Sequence, residues 1–234
     1  MKVNADFQRR AAVHARSTRW VPSPVAGVDR LMLDRVGGER ARATTIVRFA
    51  PNSRFSPHRH GGGEEYLVLE GVFEDEEGAF PEGRYVRNPP GSCHTPGSGP
   101  GCVIFVKLWQ FAPGDRGHLV RDTGDLALVP LATRPGVRAA RLHEDARESV
   151  RIESWEPGAR ISHRPEGGLE ILCLEGGFAE GGESFSRWSW LRLPAGYPLN
   201  AVAGPHGCRL WVKEGHLRFV DRDLAALAAA DGEG

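Results

Sequence analysis

Short apolar and β-branched stretches recur along the chain, each bounded by glycine, proline or asparagine: ATTIVRFA, EEYLVLEGVF, GRYVRNPP and GCVIFVKLWQF. Runs of this length between turn-forming residues predict many short strands. The fold class that follows is all-β, a barrel or a sandwich. One helix is expected, in DRDLAALAAADGEG at the end of the chain, where alanine and leucine dominate and glycine stops the run. It is placed to cap a barrel or to mediate a contact. The 30 glycines and 17 prolines agree with frequent turns.

The pattern also repeats. LVLEGVF at 67–73 returns as LCLEGGF at 172–178, and GCVIFVKL at 101–108 returns as GCRLWVKE at 207–214. A Pro-x-Gly turn lies between the blocks in both copies, at 89–91 and 194–196. Two blocks in the same order, at separations that one small insertion makes equal, point to a duplicated domain, because each unit is long enough to bury its own core. The boundary is expected near 125–135, in LALVPLATRPG, which gives domains at 1–128 and 129–234.

Composition narrows the function classes. With 30 basic and 30 acidic residues the net charge is zero, so no field draws the chain to nucleic acid or to an anionic membrane, and neither is an expected partner. Cys93, Cys102, Cys173 and Cys208 are far apart and form no C-x-x-C pair, which fits neither a disulfide framework nor a cysteine zinc site and favours a reducing compartment. The amino-terminal segment is polar, without the apolar core of a secretory signal, and no run approaches the roughly 20 apolar residues that span a bilayer. The expectation is a soluble, cytoplasmic protein.

Candidate chemistry concentrates in the first copy, in SPHRHGGGEEYLVLEG. His58 and His60 are two apart, so on a strand both imidazoles face one way. Gly61, Gly62 and Gly63 permit a reversal that returns Glu64 to the same spot. A further imidazole, His94, follows the turn at Pro89, Pro90 and Gly91. Each residue alone has a plain structural reading. Together, three imidazoles and a carboxylate inside a barrel would be desolvated for no gain without a cation, so His58, His60, Glu64 and His94 are the expected ligands of one divalent ion. Zinc or iron come first, with manganese or nickel as alternatives. Glu65 competes for the carboxylate role but faces the opposite way if the strand is regular.

These residues resemble the two short motifs of the cupin superfamily, Gly-x5-His-x-His-x3,4-Glu-x6-Gly and Gly-x5-Pro-x-Gly-x2-His-x3-Asn. His58, His60, Glu64 and Gly71 match the first, with Asn52 where its leading glycine would stand; Asn tolerates positive φ. Gly83, Pro89, Gly91 and His94 match the second, with Ser98 in place of the final asparagine. Over roughly 25–112, GGGEEYLVLEGVFEDEEG, GRYVRNPPGSCHTP and GCVIFVKLWQF look like the ChrR-like cupin family. The resemblance implies a double-stranded β-helix, here in tandem as a bicupin, with metal bound by the residues matching His58, His60, Glu64 and His94.

In the second copy His163 takes the place of His58, but Pro165, Leu169 and Leu199 stand where His60, Glu64 and His94 were. One imidazole does not hold a divalent ion, so this copy is expected to be metal-free, with His163, Glu170 and His206 structural and Trp155, Phe178, Trp188, Trp190 and Trp211 in packing. The family's anti-sigma member binds its sigma factor through a separate amino-terminal helical domain with its own zinc ligands. The roughly 40 residues before the first strand here contain no cysteine and one histidine, His14, so a sigma factor is not an expected partner. Two functions remain open: a mononuclear non-haem dioxygenase acting on a small ketone or diketone, and a zinc-binding sensor in which Cys93 could respond to oxidation. Arg48, Tyr66, Arg87 and Lys107 reach the cavity if they point inward. A homodimer is the expected assembly.

Overall fold

The strand-forming stretches build two compact units. Residues 1–232 are described by the structure, a computed structural model. In the first unit the long strands are β1 (Val28–Gly37), β2 (Ala41–Phe49), β4 (Glu64–Asp75), β5 (Arg84–Asn88) and β7 (Cys102–Leu108). Two short strands, β3 (His58–Arg59) and β6 (Cys93–His94), pair with each other. The second unit is built from β8 (Val137–Glu144), β9 (Ser149–Trp155), β10 (Leu169–Glu180), β11 (Trp190–Leu193) and β12 (Leu199–Glu214). One helix, α1 (Val220–Gly232), follows.

The repeat in the sequence is a repeat in topology. Hydrogen-bonded neighbours run β1, β2, β7, β4, β5 in the first unit and β8, β9, β12, β10, β11 in the second, all antiparallel. Even the register faults recur: between Met32 and Asp34 in β1 and between Arg141 and His143 in β8. The all-β architecture with one carboxy-terminal helix is as the pattern predicts.

The chain passes from the first unit to the second between Gly124 and Asp125. Both ends depart from a linear division at 128/129. Residues 6–18 belong to the second unit, where a strand at Ala11–Val13 pairs with β11 and Arg10 forms ion pairs with Glu180 and Glu183 at 2.8 and 2.6 Å. The segment from Val220 onward belongs to the first unit, where α1 packs on β2 and Asp223 meets the buried Arg42 at 3.4 Å. The expected helix is present, and Glu233 and Gly234, the last residues of its sequence signal, lie outside the described residues. Among the described residues no helix is long and apolar enough to cross a membrane.

One irregularity of the first barrel matters for the site. Along β4, Glu64, Tyr66 and Val68 face the interior by simple alternation. Opposite β7 the register then skips Leu69, so that Val103 faces Glu70 and Ile104 faces Val68. A one-residue bulge inverts the parity of everything after it. Phe73 therefore joins the core beside Tyr66, their rings 4.8 Å apart, and Asp75 follows it inward.

Candidate metal centre

Backbone pairing assembles the four candidate ligands. Strands β3 and β6 place His58 directly opposite His94. His60 lies one residue past β3, fixed by its N–H to the Ser92 carbonyl at 2.9 Å and by the Gly91 N–H to its own carbonyl at 2.8 Å. The turn after Pro89 thus holds His60 as well as delivering His94. Asn52, at the position of the motif's leading glycine, has φ 61°, as its tolerance of that region predicts. The three glycines have distinct causes. Gly63 turns the chain at φ 78°, whereas Gly61 and Gly62 lie under the Trp109 ring, where a Cβ on Gly62 would come within 2.3 Å of the indole.

The side chains converge. One donor nitrogen each from His58, His60 and His94 lie within 4.8 Å of one another. Nε2 of His60 and of His94 are 2.9 Å apart, and Glu64 Oε2 is 3.5 Å from the first and 3.4 Å from the second. Two ligands about 2.1 Å from one metal ion lie roughly 3.0 to 3.4 Å apart at octahedral and tetrahedral angles, so these separations suit a shared cation. His60, Glu64 and His94 are buried, and His58 is the half-buried, outlying member.

Partners that the sequence reading missed orient the set. Asp75 accepts from His94 Nδ1 at 2.9 Å, which leaves the Nε2 lone pair aimed at the cluster. His58 Nδ1 does the same toward the Ser56 carbonyl at 2.9 Å. Asn88, directly across from Glu64 in the ladder, donates Nδ2 to Glu64 Oε2 at 3.2 Å. Burial pushes the His60 pKa down, reinforced by the charges of His94 and His58 and opposed by Glu64. For His94 burial acts the same way but is outweighed by the Asp75 hydrogen bond and the charges of Glu64, Asp75 and Glu76, which hold its pKa above the ordinary value. Three imidazoles, two of them with tautomers fixed from outside, and a carboxylate make a donor set that fits a divalent ion.

A cavity of about 110 Å³ opens onto His58, His60 and Glu64, with walls that include Phe49, Phe73 and Val106. At about 30 Å³ per water molecule, it suits a ligand of only a few heavy atoms. A larger depression of about 480 Å³, lined by Arg54 and Asp75, holds none of the four candidates.

Other side chains singled out from sequence fall elsewhere. Glu65 faces away from the cluster, as strand alternation requires, and accepts from Tyr85 Oη at 2.6 Å. Arg87 shares that face with Glu65, and Lys107 donates to Thr44 at 2.8 Å. Arg48 is exposed, paired with Asp29 at 2.7 Å. Of that group Tyr66 alone joins the interior, its hydroxyl buried without a hydrogen-bond partner and its pKa raised by burial and by Glu64. The cationic side chains that do line the cavity are Arg30 and Arg35, which no motif marks. Cys93 is exposed.

The second barrel keeps the frame without the ligands. His163 faces Leu199 across the ladder as His58 faces His94, and Leu169 and Leu199 are buried in the core. His163 pairs with Glu214 at 2.9 Å, and His216 with Glu170 at 2.9 Å. His206 is exposed and has no packing role, contrary to its expected one. Trp155, Phe178, Trp190 and Trp211 are buried, and Trp188 is half-buried beneath Arg187.

Residues 8–112 match the family described as the ChrR cupin-like domain. No curated protein matches the sequence significantly. Among solved structures, a candidate dioxygenase from Nostoc punctiforme has 15% identity and a TM-score of 0.72 over 90% of this chain and 84% of that one. The nickel(II)-bound pirin YhhW of Escherichia coli has 13% identity and a TM-score of 0.65 over 88% and 98% of the two chains. Oxalate decarboxylase of Lactobacillus farciminis, in complex with formate, has 10% identity and a TM-score of 0.60 over 88% and 86%. At such identities the likeness speaks for the fold. Residues 8–112 thus match the ChrR cupin-like domain, in a chain with the fold of the cupin barrels.

Proposed function

We propose that His58, His60, Glu64 and His94 hold one divalent metal ion and that the protein is a metal-dependent cupin, acting as a mononuclear dioxygenase on a small ketone or diketone. The observation that carries this reading is the convergence of three imidazoles and one carboxylate at a small apolar cavity, with Asp75 and Asn88 fixing their orientation. An ion held by these four residues would supply a Lewis acid for an enolisable carbonyl and, if redox-active, a partner for dioxygen. Asp75 keeps the His94 proton on Nδ1, away from the ion. Asn88 restrains the carboxylate oxygen that lies nearest both imidazoles. Phe49, Phe73 and Val106 limit the water that can share the cavity with a ligand. The nickel(II) in the pirin and the dioxygenase assignment of the Nostoc protein, both of the same fold, support the reading.

A specific feature favours a second reading, a zinc-binding sensor: the exposed Cys93 thiol sits one residue from His94, where oxidation would disturb β6. Metal analysis of protein purified without oxygen, followed by oxygen uptake with small β-diketones and hydroxyketones, separates the two. The dioxygenase reading expects one iron per chain and uptake abolished by His60→Ala. Stoichiometric zinc without uptake transfers the assignment to the sensor, and protein without bound metal ends both.

A further inference from the structure

The cavity has a cationic side that neither its metal ligands nor its apolar walls require. Arg35, on β1, lines it and is only 5% exposed. Its Nη2 donates to the Gly38 and Glu39 carbonyls. No carboxylate lies within ion-pair distance of it among the described residues, and its Nε and Nη1 donors form no hydrogen bond. Arg30 lies on the same cavity, and its partner, Glu39, is 3.4 Å away with its side chain 72% exposed. Two guanidiniums thus share one solvated carboxylate. Burial pushes the Arg35 pKa down, the charge of Arg30 adds to the effect, and the charge of Glu39 opposes it in part.

A buried guanidinium whose nearest carboxylate is solvated and already paired with a second arginine is under-compensated unless something else supplies an anion. Its planar fork matches a carboxylate. Besides Glu39 and Thr45, the other walls, among them Val47, Phe55 and Leu108, are apolar, and the space suits a few heavy atoms.

We propose that the cavity selects a short-chain carboxylate bearing a second oxygen donor, such as an oxo or hydroxy acid, whose carboxylate is held by Arg35 and whose other oxygen faces His58, His60 and Glu64. This rests on the reading of the cavity as the substrate site and replaces the neutral ketone by its acid counterpart. Arg30 reinforces the field and leaves the fork-shaped contact to Arg35. The competing explanation is that Arg35 only pins the turn at Gly38 and Glu39, a role that would alter stability without discriminating between ligands.

Calorimetry on the full chain, loaded with zinc to prevent turnover, with acetoacetate and its neutral isostere acetoacetamide as probes, tests the proposal. Acetoacetate is expected to bind at least about tenfold more tightly than the amide. Arg35→Met should abolish that preference while metal content stays at the wild-type level. Arg35→Lys keeps the charge and guards against misfolding of the Met variant; it should retain a preference of about threefold or more. Equal affinity for the two probes, binding of neither, or a preference that survives Arg35→Met in folded protein overturns the inference. Metal content measured on the same samples reports separately on the metal reading, so loss of one is not mistaken for loss of the other.

Discussion

The two barrels share strand order, bulge positions and ladder register, yet they solve the problem of a polar interior in opposite ways. In the first, Thr45, Val47 and Leu108 surround the cavity beside three imidazoles and Glu64, and among the described residues no lysine or arginine stands at the meeting point of those ligands. In the second, the same register positions carry Arg151, Glu153 and Glu214. They form a continuous chain of pairs. Arg134 and Arg151 meet Glu153 at 2.7 and 2.6 Å, Arg151 meets Glu214 at 3.0 Å, and His163 completes the row at 2.9 Å. Trp155 Nε1 adds a further hydrogen bond to Glu153 at 2.7 Å. Even the cavity arginine is reversed, since the register position of Arg35 is taken by Glu144. One barrel therefore gathers imidazoles and a carboxylate, whereas the other places a guanidinium of its own among its carboxylates.

The largest expected effect comes from making the first barrel resemble the second. Replacing His60, Glu64 and His94 together with leucine should abolish metal binding and also raise the melting temperature of the metal-free protein. Buried polar groups held together without their cation cost free energy, and each well-packed leucine returns about 1.5–3 kcal/mol of apolar burial. Wild-type protein, by contrast, should lose stability on chelation. Calorimetric melting with and without chelator decides the matter. A metal-free triple variant that melts below the metal-free wild type would mean that the cluster is structurally self-sufficient and that the contrast between the barrels is misdrawn.

A smaller effect is expected at Asp75, whose counterpart on β10 is Glu180. The two carboxylates occupy equivalent places past the bulge but hold different things: Asp75 orients His94, and Glu180 binds Arg10. Asp75→Asn should weaken metal affinity by roughly 10- to 100-fold, because an imidazole that loses its carboxylate partner becomes a poorer and less oriented donor. Competition with a chromophoric chelator measures this directly. Glu180→Gln should leave metal affinity unchanged. Equal losses from both would point to general destabilisation and remove the distinction.

Asp75 also shows where sequence reading stops. Strand stretches, the duplication and the four convergent residues were legible because alternation and turn chemistry act over a few positions: His58 faces His94 because two short strands flank well-marked turns. Asp75 was not, because it lies eleven positions after Glu64, and strict alternation assigns it to the opposite face. Only the skip at Leu69, visible in the pairing of Val103 and Ile104, reverses its side. Arg35 escaped for a related reason. It sits on β1 beyond the fault at Met32 and Asp34, far in sequence from the histidines it joins at the cavity. The exchange of residues 6–18 into the second unit was equally invisible, since a three-residue edge strand such as Ala11–Val13 carries too little pattern to name its partner.

The smallest effect should appear only with pH, and only in the second barrel. Burial works against ionisation of Glu214, but the His163 hydrogen bond and the charges of Arg151 and His163 outweigh it and hold the pKa at about 2, against 4.5 for an ordinary glutamate. A carboxyl group whose pKa is depressed by folding contributes its stability in full above the unfolded value, and loses it as pH falls through the folded one. The advantage of wild type over Glu214→Gln should therefore be constant near neutral pH, shrink below about 4.5 and vanish near pH 2. Four of the six tryptophans, at 155, 188, 190 and 211, lie in the second unit, so tryptophan fluorescence during unfolding reports mainly on it. Subtracting the variant's melting temperature from that of wild type at each pH removes the contribution of other titrating groups to first order. A difference that stays flat down to pH 2 would show that the Glu214 charge contributes nothing to the row of pairs, and that the second barrel is held by its apolar core alone.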